Sequence, residues 1–458
     1  MQVVIAGGGE VGFRVARDLI TRGHDVVIID NQGDGISRIR NLDAQIIKGN
    51  AASPKILMEK AGIAQSDLFI GVCGSDEVNL ICCTIAHKLG CKTIARIKNT
   101  EFIEGPLDPN PMDILGIDYY VNPEKLALNR IWQIVDRPQL MTSLDQFSTK
   151  DLHIMEARID ESSPIVGRAL IDVDMPANTK IVLISRDSGV IIANPVEVLL
   201  PRDRLMIIIN HVDDVWNKLS KSIGNLNEIT SEKKVKKIFM AGTSRLAISF
   251  ANQVVEKNLG TPNIELFLVE ENKTAAEEAS SNLPDSVTVL NGSPTDRDFL
   301  REEGFGNADL FISATEREDL NVLSCLMAKQ EGAKRTAAVV YQTELEYVVQ
   351  NTGIDVIVNP RRLTVSAIIN QATKTTETTG LEHFYGEDAV IREVLVKHND
   401  HIEKPISNLN LPKQSLVAVI KRKENIIFPD DKDTLKEGDK LLIFTLKNNL
   451  KEVESIFR

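Results

Sequence analysis

Long apolar runs are missing from this 458-residue sequence. The longest, such as RLMIIIN at 204–210, fall far short of the roughly 18 residues that a bilayer crossing needs. No segment is therefore expected to span a membrane, and the N-terminus enters an apolar strand without the flank of a signal peptide. A disulfide framework is missing too. The five cysteines, Cys73, Cys82, Cys83, Cys91 and Cys325, are odd in number, unevenly spaced and mostly set among apolar residues. Both absences point to a cytosolic protein in a reducing compartment. Positive charge is in deficit, with 53 Lys and Arg against 65 Asp and Glu and a formal net charge of −12. That balance opposes non-specific attraction to nucleic acid or to an anionic membrane. No nucleic-acid partner is expected, and any membrane role requires a protein partner. Disorder is excluded by 43% hydrophobic and 26% charged residues, and the length admits roughly three domains with buried cores.

What is present begins at the first residue. MQVVIAGGGEVGFRVARDLITRGHDVVIID reads as a buried strand from Gln2 to Ala6, a turn Gly7-x-Gly9-x-x-Gly12, and a helix with Val11, Val15 and Leu19 on one face. The first glycine of such a turn permits the sharp bend, the second lets the backbone approach a pyrophosphate, and the third lets helix pack on strand. The helix N-terminus, with Gly8, Glu10 and Val11 around it, supplies amide donors and positive dipole. Asp30 closes the next strand 18 residues beyond Gly12, where a carboxylate accepts both ribose hydroxyls and repels a 2′-phosphate. Strand, turn, helix and acid together predict a ribonucleotide site. The segments AQIIKGN, DLFIGVCG and KTIARIK read as further strands, alternating with helices in PKILMEKAG and EVNLICCTIAHKLG. This alternation implies a parallel, doubly wound sheet whose ligands sit beyond the C-terminal strand ends. Asn50 and Ala51, Gly74 and Ser75 and Asn79 all fall on that rim, with Asn50 placed to meet adenine; Arg96, ending the following strand, reads first as a surface arginine, with phosphate or an adjoining subunit as the alternatives.

The opening then recurs. KIFMAGTSRLAISFANQVV sets Gly242, Ser244 and Ala247 where Gly7, Gly9 and Gly12 stand, 235 residues later, and Arg245 where Glu10 stands. Glu270 takes the place of Asp30, Asp309 that of Asp67, and Asn321 that of Asn79; GIDYYVNPEKLA reappears as GIDVIVNPRRLT. Each repeat carries a trailing segment of short alternating strands, with Met175-Pro176 matching Leu411-Pro412 and Asp203 matching Asp439. Residues 142–151, 225–237 and 371–380 read as linkers. The fold class is α/β, with two Rossmann-like doubly wound domains (1–140 and 235–372), each followed by a small α+β lobe (150–225 and 384–458).

On GGGEVG, Asp30, GNAAS, GSDEVNL and the doubled order of large and small units, the chain resembles the Trk-type potassium-uptake regulatory (TrkA) family, tandems of two RCK domains. The resemblance spans essentially the whole length. It implies a homotetramer forming a ring under a membrane potassium channel or transporter subunit of Trk type, peripheral on the inner face of the cell membrane. It implies binding of NAD(H) and of ATP or ADP, with occupancy coupled to gating. The residues themselves agree with binding without turnover. A dehydrogenase needs a proton-transfer group and a substrate domain, whereas here a second fold of the same kind takes that place and the seven histidines share no carboxylate pattern.

Three features invite other readings. Cys83, His87 and Cys91 recur at a spacing of four, like a metal face, but core packing of the thiols is the expectation. Glu10 beside the phosphate cradle has two readings, favourable interaction with the helix dipole or selection against a triphosphate relative to NAD; Arg245 would reverse that preference in the second repeat if a nucleotide binds there. With Ser244 and Ala247 crowding that turn, an occupied second pocket and a purely structural one both stay open. Asp30 does not separate NAD from ATP or ADP, since all carry free ribose hydroxyls.

Overall fold

The computed structural model describes residues 1–31, 33–103, 110–136, 142–143, 152–186, 189–210, 212–224, 235–260, 264–349, 352–374, 382–385, 389–396, 402–423 and 425–457. The predicted linkers lie largely outside these residues. The described chain divides into two compact units, one holding 1–131 and 235–372, the other 132–234 and 373–458. Each unit therefore contains one element from each repeat.

In the first unit, β1 (Gln2–Ala6), β2 (Asp25–Asp30), β3 (Gln45–Lys48), β4 (Leu68–Gly71), β5 (Lys92–Arg96) and β6 (Tyr119–Val121) form a parallel sheet in the order β3-β2-β1-β4-β5-β6. β1 is buried at every position but the first, because Val3, Val4, Ile5 and Ala6 are covered on both faces. One face packs under the helix Asp76–Lys88, where Cys82 and Cys83 join Phe69, Ala86, Cys91 and Ile97. The expected packing role of Cys83 and Cys91 is met there. The other face packs under the helix Glu10–Thr21. Val365, Ile368, Ile369 and Ala372 of the second repeat's helix Pro360–Lys374 enter this same cluster beside Val11, Val15 and Leu19.

The first small lobe, in the other unit, contains β7 (Thr142–Ser143), β8 (Leu152–Arg158), β9 (Thr179–Arg186), β10 (Gly189–Ile192) and β11 (Arg204–Asn210), an antiparallel sheet in the order β10-β9-β11-β8-β7. The second Rossmann sheet repeats the first in β12 (Lys237–Ala241), β13 (Glu265–Glu270), β14 (Val287–Asn291), β15 (Leu310–Ser313), β16 (Thr336–Val339) and β17 (Val356–Val358), ordered β14-β13-β12-β15-β16-β17. Phe239, Phe305 and Phe311 fill its core, Phe239 stacking on Phe305 at 4.1 Å between ring centres. The second lobe adds β18 (Glu382–Tyr385), β19 (Ala389–Leu395), β20 (Ser415–Arg422), β21 (Asn425–Ile427) and β22 (Lys440–Leu446), ordered β18-β19-β22-β20-β21.

The two lobes share one core. Ile154, Val182 and Ile208 of the first meet Ile391, Ala418 and Phe444 of the second, and the Lys180 ammonium donates to the Pro429 carbonyl at 2.6 Å. Each lobe also keeps the same polar clamp. Arg186 donates two hydrogen bonds to buried Asp203, at 2.8 and 3.0 Å, and Arg422 does so to Asp439, at 2.9 and 2.8 Å. Both carboxylates also accept a backbone N–H at 2.8 Å, from Leu200 and Lys436. The matched Asp203 and Asp439 of the sequence are thus two copies of one bidentate, charge-assisted clamp on a turn.

Candidate functional site

The glycine turn follows β1 directly, and its three glycines have three different reasons to be glycine. Gly7 has φ of +109°, and a Cβ there would lie 2.9 Å from the Val72 carbonyl carbon and the Cys73 nitrogen. At Gly12 a Cβ would lie 1.8 Å from the Gly7 oxygen, so only glycine lets the helix close on the turn. Gly9 differs: a Cβ would meet no atom within 4 Å, and the residue borders the cleft as the N-cap of the helix Glu10–Thr21. Its missing side chain leaves room outside the protein, facing amides that have no partner within the helix. Asp30 stands at the end of β2, one carboxylate oxygen accepting the Gly8 N–H at 2.5 Å. Gly35 approaches it so closely that a Cβ there would lie 2.8 Å from both carboxylate oxygens. The bond from Gly8 orients the Asp30 carboxylate at the end of its strand.

Gly7, Gly9 and Asp30 border a cleft of about 900 Å³. Gly7, Gly9, Glu10, Val11, Asp30, Asn50, Ala51, Gly74, Ser75 and Arg96 all line it, as the strand-end rule for such sheets requires. The Asn50 side chain accepts the Ala52 N–H at 2.9 Å and so shapes the loop. Ser75 caps the helix Asp76–Lys88 by accepting the Val78 N–H at 3.3 Å. Arg96 donates to the Cys73 carbonyl at 2.8 Å; burial is the main cause lowering its pKa, opposed by nearby Asp76.

Asn79 is not at the rim. Its side chain is fully buried, accepting the Cys73 N–H at 2.7 Å and donating to the carbonyls of Cys73 and Arg96 at 3.1 and 2.8 Å. It staples the end of β5 to the loop beneath the cleft. Asn321 makes the matching set with the Thr315 N–H, the Thr315 carbonyl and the Val339 carbonyl at 2.8, 3.0 and 2.9 Å. The repetition seen in sequence reflects a buried polar staple, which is kept because its three partners would otherwise be unsatisfied.

Sequence reasoning overlooked an entire wall. Leu246, Tyr341, Pro360, Arg361 and Thr364, all of the second repeat, border the first repeat's cleft, together with Cys73, Lys98 and Glu124 of the first. Arg361 forms an ion pair with Glu10 across the repeats and lies over the Tyr341 ring at 5.9 Å. Arg14 adds a second cation 3.5 Å from Glu10. The repulsion of a triphosphate assigned to Glu10 is therefore offset by two arginines. Glu124 occupies the position that Arg361 holds in the other repeat, and burial pushes its carboxyl up against the opposing charge of Arg245. The signs of the Glu10–Arg361 ion pair thus recur exchanged at the matching positions, where Arg245 acts on Glu124 as a neighbouring charge and not as an ion-pair partner. The signal was visible in NPEKLA against NPRRLT, where one matched position, Glu124 against Arg361, carries opposite charge.

The second turn is built differently. Gly242 keeps its positive φ of +98° against Thr315, but Ser244 donates to the Ala314 carbonyl at 2.5 Å and accepts the Ala247 N–H at 3.4 Å. Its side chain is turned inward where Gly9 leaves open space. Glu270 accepts both the Thr243 N–H and the Thr243 hydroxyl on one oxygen, at 3.1 and 2.8 Å, and the Asn272 N–H on the other at 2.9 Å. Protein donors thus meet both oxygens of the acid that matches Asp30.

Comparison with known proteins agrees with this duplicated architecture. The TrkA-N domain family matches residues 3–123 and 238–360, and the TrkA-C domain family matches 154–213 and 391–458. The Trk system potassium uptake protein TrkA homolog of Archaeoglobus fulgidus is 30% identical over 461 residues, covering 100% of both chains. TrkA of Vibrio alginolyticus is 24% identical, covering 100% of this chain and 99% of the relative. Among solved structures, the GsuK RCK domain superposes with a TM-score of 0.56 at 16% identity, over 100% of this chain and 94% of that one. The GsuK channel bound to NAD gives the same TM-score and identity over 100% and 78%. With the TrkA-N and TrkA-C domains each present twice and whole-length relatives in archaea and bacteria, the chain belongs to the TrkA family of Trk system potassium uptake proteins.

Proposed function

We propose that this chain is a cytosolic, non-enzymatic regulatory subunit of a potassium uptake system, which binds NAD(H) or ATP and ADP and so gates a membrane potassium channel or transporter subunit. The carrying observation is the cleft of about 900 Å³ at the glycine turn, walled by both repeats. Gly7 to Gly12 cradle the phosphates, Asp30 holds the ribose, and Asn50, Ala51, Gly74, Ser75 and Arg96 border the rest. The second repeat's Gly242, Ser244, Arg245 and Glu270 serve as structure, since Ser244 and Glu270 are engaged by their own turn. Ligand in this cleft touches both repeats, so its differential affinity for two repeat geometries biases one of them. That bias reaches the membrane subunit through a homotetrameric ring held peripherally at the inner face of the cell membrane. Full-length protein titrated calorimetrically with NAD, NADH, ADP and ATP should bind without turnover, and Asp30→Ala should weaken binding roughly tenfold or more. Absence of binding by the wild type overturns the proposal, as does substrate-dependent oxidation of NADH.

A further inference from the structure

We propose that Arg361 is the residue that reads the length of a bound nucleotide's phosphate chain, exchanging the Glu10 carboxylate for a terminal phosphate and so tying phosphate number to the contact between the repeats. This rests on the reading of the cleft as a nucleotide site and adds to it which chemical class the site discriminates: adenosine di- and triphosphates from the monophosphate.

The charges around the cleft support an anion there. A recess of about 480 Å³ adjoins it, bordered by Glu10, Arg14, Arg38 and Arg361. Cleft and recess together are lined by five cationic side chains (Arg14, Arg38, Arg96, Lys98, Arg361) against three carboxylates (Glu10, Asp30, Glu124), in a chain whose net charge is −12. Arg96, Lys98 and Arg361 are near enough that Arg361 opposes protonation of both others, in addition to the larger effect of burial. The buried Arg96 Nε has no hydrogen-bond partner among the described residues. Cations gathered at this spacing are relieved by an anion.

Arg361 already holds one. Its guanidinium is paired with Glu10, the first residue of the helix that begins at the phosphate cradle. The Glu10 carboxylate is the oxyanion that a terminal phosphate would replace, and a phosphate offers more charge and more acceptor oxygens to the guanidinium fork. Glu10 keeps Arg14 when Arg361 leaves. The exchange has a mechanical consequence, because Arg361 opens the helix Pro360–Lys374, whose Val365, Ile368 and Ile369 pack against the helix Glu10–Thr21. A phosphate that draws Arg361 acts on the apolar contact through which the second repeat grips the first.

The test is calorimetric titration of the full chain with AMP, ADP and ATP, comparing wild type, Arg361→Gln, Arg361→Lys and Glu10→Gln, each checked for an unchanged melting profile. In the wild type, affinity should rise from AMP to ATP. Arg361→Gln should remove roughly ten- to a hundredfold from ATP while leaving AMP within a factor of about two, and Arg361→Lys should keep part of the rise. Glu10→Gln should tighten ATP and not AMP, which keeps the proposal open to refutation even where Arg361→Gln fails to fold. Equal losses for AMP and ATP in Arg361→Gln, or an unchanged AMP-to-ATP rise in both Arg361→Gln and Glu10→Gln, would overturn it while the nucleotide site stands. No binding of any of the three by the wild type overturns this inference and the nucleotide reading together.

Discussion

Replacing Gly9 by alanine separates the needs of the fold from those of the ligand. Its backbone, φ −65° and ψ −173°, is open to any L-residue, and the added Cβ meets no protein atom within 4 Å. Alanine at an N-cap costs about 0.5–1 kcal/mol relative to better caps. Against this, removing glycine's freedom from the unfolded chain stabilises by about 0.4–1 kcal/mol. The two nearly cancel, so Gly9→Ala should melt within about 2 °C of the wild type. Binding is another matter. On the proposed nucleotide reading, the methyl group would stand in the cleft between a pyrophosphate and the amides of the first helical turn, displacing it from one or two charge-assisted hydrogen bonds. Their loss corresponds to roughly ten- to a hundredfold in affinity. Gly12→Ala is the control, since its Cβ would stand 1.8 Å from the Gly7 oxygen. Forcing the helix off the turn costs about 1–3 kcal/mol and lowers the melting temperature by several degrees. Differential scanning calorimetry with parallel nucleotide titration reads both effects. Wild-type affinity in Gly9→Ala, or a melting loss equal to that of Gly12→Ala, would refute the reasoning.

Two further outcomes follow from the same geometry. Asn79→Ala and Asn321→Ala should each destabilise the protein by about 2–4 kcal/mol, because each strands a buried N–H and two carbonyls; denaturant titration of the two variants should give similar losses although Asn321 adjoins a turn that we assign no ligand. Cys73 borders the cleft, yet burial above all, aided by Cys82 and Asp30, pushes its thiol up to about 12. The thiolate is the reactive form, so peptide-resolved alkylation by iodoacetamide should still be accelerating at pH 10, and a plateau near pH 9 would contradict the burial argument.

The parts of this protein legible in its sequence are those whose cause is local. Gly7 and Gly12 must be glycine because of atoms within a few residues or across one strand, and the apolar runs of β1 and β2 announce a sheet buried on both faces. Repetition made the second sheet readable without a glycine signature, since Glu270, Asp309 and Asn321 hold their places. Asn79 was misread because a polar residue at the start of a helix looks the same from sequence whether it faces a ligand or staples two buried loops; only its three protein partners decide. The cleft's far wall was illegible for a different reason. Arg361 and Glu10 are 351 positions apart, and no local periodicity reports a pair closed by the folding of one repeat onto the other.

The exchanged signs at that contact nevertheless carry information once the contact is known. Glu10 meets Arg361, while the position matching Arg361 in the first repeat is Glu124; two first repeats paired in this manner would set Glu10 against Glu124. Two second repeats would likewise set Arg245 against Arg361. Both homotypic pairings confront like charges in a partly buried setting, where repulsion is screened less than at the surface. Only first against second matches plus with minus at both symmetry-related places. A duplicated chain whose halves had stayed identical would have no such preference. Divergence of Glu10 from Arg245 and of Glu124 from Arg361 therefore gives the chain a reason to fold on itself, and it leaves the arginine of the second half beside the glycine turn of the first, where the cleft lies.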